Sequence, residues 1–181
     1  MDSRRLSDDQ VGTLLDMFVL TDAAEKEWRR SCHEDHKRWQ AWISPGVIQA
    51  LAGDDFRVRF LEYYDLAAGR YKWYPINRRR LVRDVEHLRS AIKFLLDETV
   101  EIRKRLQGIL DRGGSHAVEG MGINLVTSIL EDLDPQKYCT WNAKTQAGLT
   151  QLGRWPEFSR GDDSGQRYQK ILQELNNIRQ L

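Results

Sequence analysis

The chain has 181 residues, with 28 Lys and Arg against 27 Asp and Glu and a net charge of +1 at pH 7. Near-neutrality excludes a global electrostatic argument for a polyanionic partner, so any such argument has to be local. With 40% hydrophobic and 30% charged residues the composition is that of a soluble globular domain, and no apolar run approaches the ~20 residues of a membrane span. The N-terminus, MDSRRLSDDQ, lacks the apolar stretch of a signal peptide. Cys32 and Cys139 are the only cysteines and read as free thiols, without zinc spacing. The expectation is a cytoplasmic protein with no membrane contact.

Apolar spacing predicts helices along almost the whole chain, an all-α domain. Ser7 caps a first helix with Val11, Leu14, Leu15 and Phe18 on one face. Thr21 or Asp22 caps a second carrying Trp28, Trp39 and Trp42. Ser44-Pro45 opens a short helix that Gly53 ends. Asp54 or Asp55 opens another through Phe56, Phe60, Tyr63 and Tyr64, ending near Gly69. RYKWYPIN, residues 70–77, reads as aromatic and extended, broken at Pro75. Leu81, Val85, Leu88, Ile92 and Leu95 then alternate in steps of four and three, one apolar seam. A helix over about 98–110 follows, then a Gly113-Gly114-Ser115 joint and a hairpin with its second helix over about 118–133. Asp134-Pro135 stops that helix, Asn142 caps the next, and Gly153 ends it. Residues 155–165 form a loop before a last amphipathic helix with Tyr168, Ile171, Leu172, Leu175 and Ile178. The expectation is one helical domain over 1–181, its N-terminal helices in 1–69 and the hairpin half in 70–181. The apolar last helix without a tail is also what a piece of a longer protein would show.

Gly120, Met121 and Gly122 form a Gly-apolar-Gly turn before the helix INLVTSIL. Such a turn bends sharply and leaves N–H groups at a helix start, where a phosphate satisfies them. Met121 would anchor it in the core. The plainer reading is a tight αα turn with no ligand. In the box Tyr138-Cys139-Thr140-Trp141-Asn142, Trp141 suits base stacking and Asn142 a base edge. The plainer reading there is a core Trp beside an N-capping Asn. Six of the fourteen positions 70–83 are Arg or Lys, including Lys72, Arg78, Arg79 and Arg80, and none is acidic. Interleaved with aromatics they suit a phosphate backbone; three arginines at a helix start oppose its dipole and favour a bound anion. Arg154, Trp155, Phe158 and Arg160 sit in one loop, either a pocket wall or a pin for the last helix. Cys32, His33 and His36 read as surface rather than as a metal site, and no nucleotide-binding, hydrolase or nuclease motif appears.

On this hairpin and its spacing, the chain resembles the helix-hairpin-helix DNA glycosylase superfamily over about 95–152. That family keeps a catalytic aspartate some twenty positions after the second glycine, where this chain has Asn142, and its bifunctional members a lysine two positions after it, where this chain has Asn124. The resemblance implies the scaffold without carboxylate or lysine chemistry. The run over about 120–171 also resembles helical modules of bacterial restriction and phage-defence proteins, including those attached to McrBC-like NTPases. That implies nucleic-acid sensing or docking to a larger NTPase or nuclease subunit. The combined expectation is a non-catalytic nucleic-acid-binding module, DNA favoured, using no cofactor or metal. Gly120, Met121, Gly122 and Asn124 would hold one phosphate. Lys72, Arg78, Arg79 and Arg80 would hold others, and Trp141, Asn142, Arg154 and Trp155 would meet a base or an end. The alternatives are a divergent base-excision glycosylase and a protein-interaction module of a defence complex.

Overall fold

Every regular element in the computed structural model is a helix; the model describes residues 5–21, 34–35, 37–40, 43–71 and 74–181. Helix α1 is Asp8–Thr21. Ser7 and Gln10 cap it reciprocally, Gln10 N–H donating to Ser7 Oγ and Ser7 N–H to Gln10 Oε1. Val11 is buried, but Leu14 and Leu15 are exposed. Of the expected apolar face, Val11 is seated at the first turn, where the helix is tied down, and the burial of Phe18 lies outside the described residues. There Leu6 N–H bonds Leu152 O and Asp8 pairs with Arg154. Of the expected second helix, Trp28 and Trp42 lie outside the described residues, as do Cys32, His33, His36, Lys72 and Trp73. Trp39 is buried, its ring edge-on to Tyr63 at 5.1 Å.

Helix α2 is Pro45–Ala50, with Ser44 accepting from Val47 N–H and proline in the first turn. Gly53 does not end α2. It opens α3, Gly53–Tyr71, at φ 55°, and its N–H donates to Glu86 Oε1. Pro75 likewise opens a helix, α4, Pro75–Leu81, instead of breaking an extended strand-like stretch. Its missing N–H costs nothing at that position. The single seam expected from Leu81 to Leu95 is divided at 82–84, and α5 is Val85–Leu96. Asp84 causes the division by capping α5, accepting from His87 N–H. Leu81, Leu88, Ile92 and Leu95 remain buried, and Val85 is half-buried against them.

Helix α6 is Ile102–Leu110, α7 Ile123–Leu133, α8 Ala143–Gln151 and α9 Ser164–Arg179. One buried cluster joins Phe56, Phe60 and Tyr63 of α3, Leu88, Ile92 and Leu95 of α5, Leu106 and Ile109 of α6, Val126, Ile129 and Leu130 of α7, and Tyr168 and Ile171 of α9. Each such side chain contributes about 1.5–3 kcal/mol by leaving water. Among the described residues, α6 and α9 share the most extensive helix–helix contact. A Cβ on Gly165 would lie 2.3 Å from Arg103 O, so only glycine admits this approach. Asp163 caps α9 in a box with Gln166 and binds the Arg103 guanidinium at 2.9 Å.

The loop before α8 is clamped from both sides. Arg105, 3% exposed, donates to Leu95 O and to Tyr138 Oη, whose hydroxyl donates to Glu98 Oε1. Tyr168 Oη accepts from Cys139 N–H and donates to Cys139 O. Arg179 donates to the carbonyls of Pro135, Gln136 and Tyr138. These bonds hold the 138–142 box against α6 and α9. Among the described residues no helix is long and apolar enough to cross a membrane.

Candidate functional site

Gly120 adopts φ 93°, a left-handed conformation that only glycine takes without strain. A Cβ there would lie 3.3 Å from Asn77 Cβ and 3.5 Å from Arg80 Cβ. The glycine thus lets the turn lie directly against α4. Met121 is buried and anchors the turn, its N–H donating to Val118 O. Gly122 is the N-cap of α7: its carbonyl accepts from Val126 N–H, and it offers no side chain to the N–H groups that follow. The start of α7 opens on a cavity of about 250 Å³ lined by Tyr64, Tyr74, Asn77, Gly120, Gly122, Ile123, Asn124 and Leu125. A second depression, about 420 Å³, lies on the other side of the turn and shares Asn77, Gly120 and Gly122 with the first. Its wall adds Leu110, Arg112 and Glu119.

The partner of the glycine turn is α4, which the linear sequence did not suggest. Helix α6 ends at Leu110, and residues 111–122 run through successive turns before α7. The connector folds back on α6 at Gly114, where a Cβ would lie 2.3 Å from Gly108 O. Two histidines fasten it: His87 Nε2 meets Ala117 O at 3.0 Å, and the His116 ring stacks on Phe94 at 4.1 Å.

Arg78, Arg79 and Arg80 occupy the last turn of α4, not a helix start. The dipole argument therefore reverses, since cations are favoured at a C-terminus. Arg78 binds Asp65 through two bonds of 2.8 and 2.9 Å, and the hydrogen bond to Asp65 raises its pKa further. Arg80 and Arg83 share Glu119 at 3.4 and 2.9 Å. These pairs are solvent-exposed, so water and salt screen them. Arg79 and Arg112 are exposed and have no partner among the described residues. Behind them Tyr64 Oη donates to Tyr74 O at 2.7 Å. Burial, then the charge of Asp65, raises the Tyr64 pKa and keeps that donor protonated.

The second group of expected site residues is built differently. Trp141 N–H donates to Thr127 Oγ1 at 2.8 Å, one turn along α7 from Asn124. Its ring is tilted against Phe158 at 6.1 Å, and Trp155 meets Phe158 edge-on at 5.5 Å. Asn142 Oδ1 accepts from Lys144 N–H and Thr145 N–H, capping α8. In this geometry the box packs and caps. Arg154 is 7% exposed, donates to Leu6 O, and pairs with Asp8 and Glu174. It fastens the N-terminal segment to α9, and with Trp155 it lines a depression of about 490 Å³ whose wall also holds Arg5, Lys170 and Glu174. The residues brought together are therefore Gly120, Gly122, Asn124 and Arg80, with Tyr74, Asn77 and Arg112 added by the fold. No spacing rule marks the last two, because they come from α4 and from the connector.

Asp132, Glu131 and Cys139 serve the fold around this box. Asp132 is fully buried and accepts from Tyr63 Oη at 2.8 Å. Glu131 accepts from Thr140 Oγ1. Burial, then the nearby Glu131, pushes the Cys139 thiol up to about 12, so it is no nucleophile at neutral pH. Among the described residues no cluster of His, Cys, Asp and Glu could hold a metal ion. Comparison with protein-family models, with curated proteins and with solved structures finds no match to this chain.

Proposed function

We propose that this protein is a non-catalytic nucleic-acid-binding module, with DNA the favoured partner. The observation that carries the reading is the seating of the Gly120–Gly122 turn directly on the arginine-bearing helix α4. The two segments that sequence analysis marked for phosphate thereby line one surface. Backbone N–H groups at the start of α7 suit one phosphate, and Arg79, Arg80 and Arg112 suit its neighbours along the strand. The reading as a glycosylase-like scaffold, in a bacterial defence or restriction system and beside a larger NTPase or nuclease subunit, accompanies this proposal. The capping role of Asn142 and the high thiol pKa of Cys139 favour binding over catalysis.

The test is binding of single-stranded and duplex DNA across a salt series. The three arginine–phosphate contacts predict a slope of log K against log salt of about −2 to −3. Arg79→Glu should weaken binding and flatten the slope. Absence of binding at low salt, or an Arg79→Glu protein that binds as the parent does, would refute it.

A further inference from the structure

We propose that the cavity between α4 and the start of α7 receives one unpaired nucleobase, so that the protein prefers single-stranded to duplex nucleic acid. The proposal rests on the nucleic-acid reading above and adds the ligand's form. At about 250 Å³ the cavity lies just under the ~300–1,000 Å³ of drug-sized ligand sites, the scale of one ring system. Its lining of Tyr64, Tyr74, Asn77, Ile123, Leu125 and two glycines carries no formal charge. Such walls suit a flat neutral ring, with the adjoining phosphate left to the N–H groups at the rim. Tyr74 contributes to that lining and is 72% exposed. Its backbone is nevertheless fixed, because its carbonyl accepts from Tyr64 Oη at 2.7 Å and from Asn77 N–H at 3.0 Å. A clamped backbone bearing a solvated aromatic ring adds little to the fold and offers a base a π-face at small entropic cost. The Asn77 carboxamide has no partner among the described residues, and it presents the donor and acceptor that read a base edge. In a duplex the same base is paired and stacked, and extruding it costs free energy that a single strand does not spend.

The experiment measures fluorescence anisotropy of equal-length single-stranded and hairpin-duplex oligonucleotides, in DNA and RNA forms, with one 2-aminopurine in the single strands as a stacking reporter. Expected is tighter binding of the single strands, with quenching of the reporter. Tyr74→Ala should lower single-strand affinity about tenfold or more and abolish the quenching, with less than a twofold change on duplex. Tyr74→Phe should retain both properties, and Asn77→Ala should weaken single-strand binding alone. Equal affinity for single strand and duplex overturns the proposal. So does a Tyr74→Ala protein with parental single-strand binding and quenching. In both cases the nucleic-acid reading stands. Failure to bind either form at low salt sinks that reading and the proposal together. Circular dichroism of each variant establishes that the exposed substitutions leave the helices intact.

Discussion

Two arginines that look alike in sequence, Arg79 and Arg154, should behave in opposite ways. Arg154 is 7% exposed and hydrogen-bonds the Leu6 carbonyl as well as pairing with Asp8 and Glu174. Replacing it with methionine keeps most of the volume and removes the charge, so the loss is polar rather than a cavity. The hydrogen bond from a charged donor to Leu6 O is worth about 1.5–3 kcal/mol. The pair with Asp8, whose side chain is 66% exposed, is screened and adds under about 1 kcal/mol. Glu174 keeps its other partner, Arg5, at 3.1 Å, so no carboxylate is stranded. Arg154→Met should therefore cost about 2 kcal/mol, which lowers Tm by about 4–8 °C in a chain of this size. Its salt dependence of DNA binding should equal the parent's. Arg79→Ala should leave Tm within about 1–2 °C, because exposed sites contribute within about 0.5 kcal/mol, and reduce the salt slope by about 0.9. Differential scanning calorimetry and anisotropy titrations at four salt concentrations measure both. A protein in which Arg154→Met flattens the slope without lowering Tm would refute the assignment of Arg154 to the fold.

Gly165→Ala should destabilise by about 1–3 kcal/mol in urea unfolding, since its Cβ would meet the Arg103 backbone. Gly148→Ala, with nothing within 4 Å, should stabilise by about 0.5–1 kcal/mol through helix propensity; the same sign for both would contradict the packing of α6 on α9. Asn142→Ala should cost about 1 kcal/mol as a lost cap while Asn142→Asp holds stability, because aspartate caps equally well. An Asp variant as unstable as the Ala variant argues against the cap. In a Cys32→Ser background, Cys139 should resist a thiol reagent at pH 8 until the chain is unfolded. The unfolded thiol ionises at about 8.5 and the native one at about 12. The unfolded state therefore releases a proton that the native state keeps, and stability falls as pH rises above about 9. Cys139→Ala should remove that component, and an unchanged alkaline slope would count against the buried thiol.

Local chemistry along the chain determines much of this protein. Ser7, Ser44 and Asn142 act as caps where their neighbours predict it, because a cap satisfies N–H groups only two or three residues away. The apolar spacing of Tyr168, Ile171, Leu172, Leu175 and Ile178 reports the buried face of α9 directly. Legibility fails where two local signals compete: Pro75 and Asp84 each start a helix inside a stretch that reads otherwise by hydropathy alone. The candidate site is divided in the same way. Glycines 120 and 122, anchored by Met121, are visible as a turn because backbone freedom is a property of the residue itself. Which surface that turn faces is not, since α4 comes to it from some forty positions earlier in the chain (Arg80 against Gly120). The tertiary structure alone decides that Arg80 borders the turn, that Arg154 is spent on Asp8 and Glu174, and that Tyr74 and Asn77 line a cavity with the start of α7. An arginine's availability depends on which carboxylates lie near it in space, and its neighbours in sequence do not report that.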